Sequence, residues 1–97
     1  MLNNRQKNQL RVLGNSLTAL GQIGKNGISD NLLDFLDEAL EDHELIKVNV
    51  LKNSSMELPL VTELLLEKLG CELVLAIGRM LLLYRQSSKQ ERIKLVK

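Results

Sequence analysis

Gly24-Lys25-Asn26-Gly27 is the stretch of this 97-residue chain whose residue types and spacing could do chemistry. It stands between a short apolar run, Leu20 to Ile23, and an acidic amphipathic segment that opens at Ser29-Asp30. Glycine lacks a Cβ, so it can take φ > 0 and bring a backbone close to a ligand. A helix starting behind such a loop offers unpaired N–H groups and a partial positive charge. That combination suits phosphate, and Lys25 adds a mobile cation at the tip. The same four residues also describe a plain strand-to-helix turn, so the loop needs its context.

The other reactive side chains offer less. His43 stands alone among carboxylates that line one helix face, and the chain has no second histidine. Cys71 is the only cysteine, which rules out an internal disulfide and fits a buried thiol in a reducing cytosol. Walker A, nucleophile-elbow and metalloprotease signatures are absent. Carboxylates on a wet helix face lack the desolvation that general acid catalysis needs. We therefore expect no catalytic residue, no metal ligand, no cofactor and no small-molecule substrate: a non-enzymatic protein.

The net charge of +1 hides a segregated pattern. Residues 1–29 carry four bases and no acid, residues 30–45 seven acids and no base, and residues 46–97 nine bases and five acids. A basic and an acidic surface can thus coexist on one small body. The hydrophobic fraction of 44% and charged fraction of 26% are globular values. No apolar run approaches the roughly 18 residues of a membrane span, and the N-terminus lacks the apolar core of a signal peptide. A cytoplasmic protein with no membrane partner is expected.

The elements that must position the loop follow from periodicity. Leu10, Leu13, Leu17 and Leu20 recur at helical spacing, so a helix is expected over about Asn4 to Ala19. Leu20 to Gly24 is a strand candidate. Ser29 is a plausible N-cap for a helix over 30–42, with Leu32, Leu33, Leu36, Ala39 and Leu40 on its buried side. Residues 45–51 alternate as a strand with Ile46, Val48 and Val50 inward. A third helix is expected over 57–69, with Pro59 in its first turn, Val61, Leu64 and Leu65 on its buried stripe, which Leu69 can extend, and Gly70 as its stop. Residues 72–77 and 80–85 read as two strands around Gly78-Arg79, whose leading glycine suits a type II′ hairpin. Alternation puts Leu73, Leu75 and Ile77 on one face and Val74 and Ala76 on the other. Residues 86–97 form a basic tail in which Ile93 to Val96 is either a short edge strand or disordered. The order αβαβαββ predicts an α/β fold with a mixed sheet of about four strands. Right-handed crossovers put the second and third helices on one sheet face, and the N-terminal helix is left to cover part of the other.

Together, Gln22 to Ile28 with the acidic helix after it, Glu44-Leu45-Ile46-Lys47-Val48, Ile77-Gly78-Arg79 and Leu83-Tyr84-Arg85 resemble the CRM domain. In particular the chain is similar to the small stand-alone bacterial YhbY-type proteins, over roughly residues 5 to 86. The resemblance implies an αβα sandwich like the C-terminal domain of translation initiation factor three, with a GxxG loop like that of KH domains. It implies RNA binding; the bacterial members associate with precursors of the large ribosomal subunit, and plant relatives act in organellar intron splicing. Carried over by position, the RNA contacts would be Gly24, Lys25, Asn26 and Gly27, then Arg79 and Arg85, with Arg5, Lys7 and Arg11 from the N-terminal helix. Gly14-Asn15 and residues 52–61, with Pro59, depart from the family pattern.

The expectation is a single RNA-binding domain over residues 1–97, monomeric, acting on ribosomal or pre-ribosomal RNA in large-subunit (50S) assembly. Its loop would clamp the backbone of a single strand. For any one basic residue, a solvated face is the competing explanation. The alternative from another class is a protein-interaction adaptor that docks through the acidic helix, with RNA incidental. Tyr84 is expected in the core rather than on a base. With Phe35 as the only other aromatic, the chain lacks an aromatic stacking platform.

Overall fold

The computed structural model describes residues 1–97. Three helices and four strands alternate: α1 (Asn4–Gly14), β1 (Ala19–Ile23), α2 (Asp30–His43), β2 (Leu45–Val50), α3 (Leu58–Leu69), β3 (Glu72–Ile77) and β4 (Met80–Tyr84). The sheet order is β1-β2-β4-β3, with β1 parallel to β2 and β4 antiparallel to both its neighbours. The expected mixed four-stranded α/β fold is therefore present.

Two cores lie on the two sheet faces. The larger joins Leu36, Ala39 and Leu40 of α2 and Val61, Leu65 and Leu69 of α3 to Ile46, Val48, Val50, Leu81 and Leu83 of the sheet. The smaller joins Leu2 and Leu10 to Leu45, Val74, Leu82 and Tyr84. β4 runs between them with Leu81 and Leu83 on one face and Leu82 and Tyr84 on the other, all buried. A strand apolar on both sides needs two covers, and α1 supplies the second.

Three details depart from simple periodicity. α1 stops at Gly14 rather than Ala19. It opens with a capping box in which Asn3 and Gln6 exchange hydrogen bonds of 2.8 and 3.0 Å. At its end Gly14 lies so close to the sheet that a Cβ there would meet Leu82 Cδ2 at 2.8 Å. Leu17 packs on the smaller core from outside the helix, while Leu13 points out. Leu20 is not part of a helical stripe: the register of β1 slips between Ala19 and Gly21, and Leu20 is left exposed. A second slip, between Leu73 and Leu75, breaks the alternation of β3. Val74 and Leu75 consequently both face the smaller core, where strict alternation would separate them.

The tail forms no strand. Residues 86–97 cross the α1 side of the sheet in irregular conformation, with Ile93 and Leu95 packed on the smaller core. Glu44 holds them there. Its side chain is fully buried, and its carboxylate accepts from the backbone N–H groups of Ser87 (2.6 Å), Arg92 (2.7 Å) and Ile93 (2.6 Å). Glu44 also closes α2 in the left-handed region at φ 64°, a conformation that costs an L-residue about 1–2 kcal/mol. Glycine would avoid that cost, so the carboxylate has its own structural use. Farther along, Gln9 bonds Lys94 O and Val96 N–H, and Gln6 bonds Val96 O. The two chain ends are thereby tied together.

Candidate nucleic-acid interface

The N–H of Gly27 donates to the carbonyl of Gly24 at 3.0 Å, closing residues 24–27 into one β-turn. Lys25 and Asn26 have negative φ, which excludes types II, I′ and II′ and leaves a type I geometry. Gly27 follows at φ 66°, a region glycine enters without strain. Neither Lys25 N–H nor Asn26 N–H has an acceptor within the protein. Ser29 then caps α2, its hydroxyl accepting from Leu32 N–H at 3.1 Å. Asp30 in the first turn offsets part of the positive end of that helix.

The glycines serve a further purpose that the sequence does not advertise. A Cβ on Gly24 would stand 3.3 Å from Leu51 Cδ1 and 3.4 Å from Asn53 Oδ1; one on Gly27 would stand 3.3 Å from Ser55 Oγ and 3.5 Å from Met56 Sδ. Both therefore face the β2–α3 loop. They permit two loops to lie side by side, and Lys25 and Asn26 are the residues turned to solvent. The parallel pairing of β1 and β2 places both loops at the same end of the sheet.

Arg79 comes to that end as well. The hairpin is a two-residue turn between Ile77 and Met80, with Gly78 at φ 58° and Arg79 at negative φ, which is type II′. Leu51 links the pieces: its N–H donates to Ile23 O at 2.8 Å, and its carbonyl accepts from Arg79 Nη1 at 3.5 Å. Lys25 and Arg79, 54 positions apart in sequence, thus flank one loop cluster. Lys52, which belongs to no sequence motif, is a third exposed cation there. The available signal was topological: the loops after two parallel neighbouring strands emerge at one sheet end. None of these three cations is in an ion pair, since both ion pairs of the structure belong to Arg85.

Arg85 does not join the cluster, contrary to the sequence expectation. It follows the far end of β4, roughly 20 Å from Arg79 at ~3.3 Å per strand residue. Its guanidinium forks between Asp37 Oδ1 (2.7 Å) and Glu41 Oε2 (3.0 Å) and donates also to the carbonyls of Leu69 and Asp37. With a side chain only 18% exposed, it ties α2 to the sheet and the end of α3. We expect Arg85→Gln to lower stability by about 1–2 kcal/mol, because a part-buried pair loses one partner. RNA affinity should stay within about twofold of wild type. A tenfold loss of affinity at unchanged melting temperature would contradict this assignment.

The basic residues of α1 are also apart from the loop. Leu2 N–H bonds Glu72 Oε1 at 3.0 Å, which pins the helix start to the far end of the sheet. Arg5 and Lys7 lie at that end, and Arg11 is one to two turns nearer the middle. Tyr84 is buried in the smaller core and cannot stack on a base. Burial, then the Glu44 charge, raises its hydroxyl pKa. Burial pushes the Cys71 thiol up to about 11, so it stays neutral at physiological pH. On α2, the hydroxyl of Ser88 holds the Glu41 carboxyl below its usual range. A depressed carboxyl favours the folded state above its ordinary pKa, and that contribution fades as pH falls through the depressed value. The Ser88 contact is thus fully present at neutral pH and weakens only in acid.

The family model described as the CRS1 / YhbY (CRM) domain matches residues 2–85. The chain belongs to the CRM domain family. Among CRM-type relatives, it is 40% identical over 95 residues to the Probable RNA-binding protein YqeI of Bacillus subtilis, spanning 98% of this chain and 99% of the relative. It is 33% identical over 88 residues to the Probable RNA-binding protein PA4753 of Pseudomonas aeruginosa, spanning 91% and 85%. The solution structure of SAV1595 from Staphylococcus aureus superposes with a TM-score of 0.79 at 41% identity, covering 99% of this CRM chain and all of that one. Both sequence relatives are named for RNA binding and neither for a reaction. No helix is long and apolar enough to cross a membrane.

Proposed function

We propose that this protein binds single-stranded RNA at the sheet end formed by the Gly24–Gly27 turn and the Gly78-Arg79 hairpin. The observation that carries the proposal is the convergence of Lys25 and Arg79 there, exposed and without carboxylate partners. The free N–H groups of Lys25 and Asn26 add backbone donors of the kind that position a phosphate. The site lies outside the carboxyl ends of β1 and β2, the usual place for a ligand in an open α/β sheet. Contacts of this kind fix the strand without reading its sequence.

Resemblance to the stand-alone bacterial members supports ribosomal or pre-ribosomal RNA as the target, during large-subunit assembly. The names of the relatives support RNA as the partner class. The acidic-helix adaptor is less favoured, because Asp37 and Glu41 are already engaged by Arg85 and Ser88. Arg5, Lys7 and Arg11 would contribute only to RNA long enough to pass round the α1 side.

Salt dependence tests the proposal. For single strands, log affinity falls against log salt with a slope of about −0.7 per phosphate neutralised. Two to four contacts predict a slope near −1.4 to −2.8, measured by fluorescence anisotropy. An affinity independent of salt would exclude phosphate neutralisation as the basis of binding.

A further inference from the structure

Beside the 24–27 turn lies a second feature that the GxxG reading leaves unused. The β2–α3 loop, the start of α3 and the hairpin tip enclose an open cleft of about 630 Å³. Lys52 and Arg79 stand at its rim, Met56 and Pro59 give it an apolar wall, and Ser55 adds a hydroxyl. Such a volume is in the range of small-ligand sites, roughly 300–1,000 Å³. Ser55 and Met56 are also the residues against which Gly27 packs, so the cleft and the turn share a wall. The cleft therefore adjoins the turn that carries Lys25 and Asn26.

The geometry points to this cleft as a second nucleotide subsite, taking the nucleotide adjacent to the one held by the 24–27 turn. Lys52 and Arg79 neutralise its phosphate, its base lies on the Met56–Pro59 wall, and the Ser55 hydroxyl meets a base edge. In a chain whose tyrosine is buried, an apolar wall with a guanidinium beside it replaces the aromatic platform that single-strand binders commonly use. Glu57, exposed on the same cleft and making no side-chain cap bond, works against phosphate and weakens the subsite relative to the turn. The proposal rests on the RNA-binding reading above and adds Lys52, Met56 and Pro59 to it.

The test uses the full chain and a labelled random-sequence 12-nucleotide single strand, titrated by fluorescence anisotropy across a salt series. Lys52→Ala should weaken binding about 3–10-fold at 50 mM salt and reduce the salt slope by about 0.7, one phosphate contact. Glu57→Gln should tighten binding about twofold. Lys68→Ala, an exposed lysine in the last turn of α3, is the control and should leave the slope unchanged. All three side chains are exposed, so each variant should melt as wild type. If Lys52→Ala behaves as Lys68→Ala while Lys25-Asn26→Asp-Asp still loses affinity, the subsite is overturned and the turn stands. If the turn variant also binds as wild type, the loop-end site is overturned and the RNA contact lies elsewhere; if wild type does not bind, the RNA reading itself is overturned.

Discussion

Replacing Glu44 by alanine is expected to detach residues 87–97 and to cost about 3 kcal/mol. Three backbone N–H groups lose their common acceptor. A hydrogen bond to a charged acceptor contributes roughly 1.5–3 kcal/mol. The sum is not reached, because a freed tail returns its donors to water. What is lost is the docking of the tail, including Ile93 and Leu95 on the smaller core. In a chain of this size the corresponding fall in melting temperature is roughly 12–24 °C. Glu44→Gly should be the milder variant by about 1 kcal/mol, since φ 64° is free of strain for glycine. Hydrogen exchange at Ser87, Arg92 and Ile93 gives the specific readout: protection should disappear in both variants. Persisting protection would show that the tail is held by something other than Glu44.

The largest effect on binding is expected from Lys25-Asn26→Asp-Asp. It removes one cation and puts two carboxylates beside the free N–H donors at the tip of the turn. One phosphate contact becomes repulsion, and affinity for single-stranded RNA should fall roughly 10–100-fold at low salt, with the gap narrowing as salt rises. Both residues are exposed and neither has a packing role in the loop pair, so the fold should be unaffected. The same substitution separates RNA binding from docking through the acidic helix, which it leaves intact. Equal affinity of variant and wild type would place the RNA contact elsewhere.

The fold was largely legible because period and punctuation agree. Alternation of Ile46, Val48 and Val50, the N-cap at Ser29, Pro59 at the start of α3 and glycine leading the hairpin each mark one element through local chemistry. What was not legible depends on partners far along the chain. Leu17 and Leu20 continue a helical spacing by coincidence, since α1 ends at Gly14, where it lies against Leu82, and the slip in β1 leaves Leu20 exposed. Glu44 looks like one more acid in a run of seven. Its partners are main-chain N–H groups 43 to 49 residues away, which no side-chain pattern encodes. Arg85 reads as a spare cation until α2 brings Asp37 and Glu41 to it. Lys25 was identifiable as a candidate by motif, and Arg79 by resemblance. Lys52 has no motif and becomes visible only once β1 and β2 are known to run parallel.

The most direct test of the central claim is a map of backbone amide shifts during titration with a short single-stranded RNA. The loop-end account predicts changes concentrated at residues 24–29, 51–56 and 77–80, with residues 34–42 of α2 and the surroundings of Arg85 undisturbed. Changes confined to the acidic face of α2, or to Arg5 and the tail with the three loops silent, would contradict it.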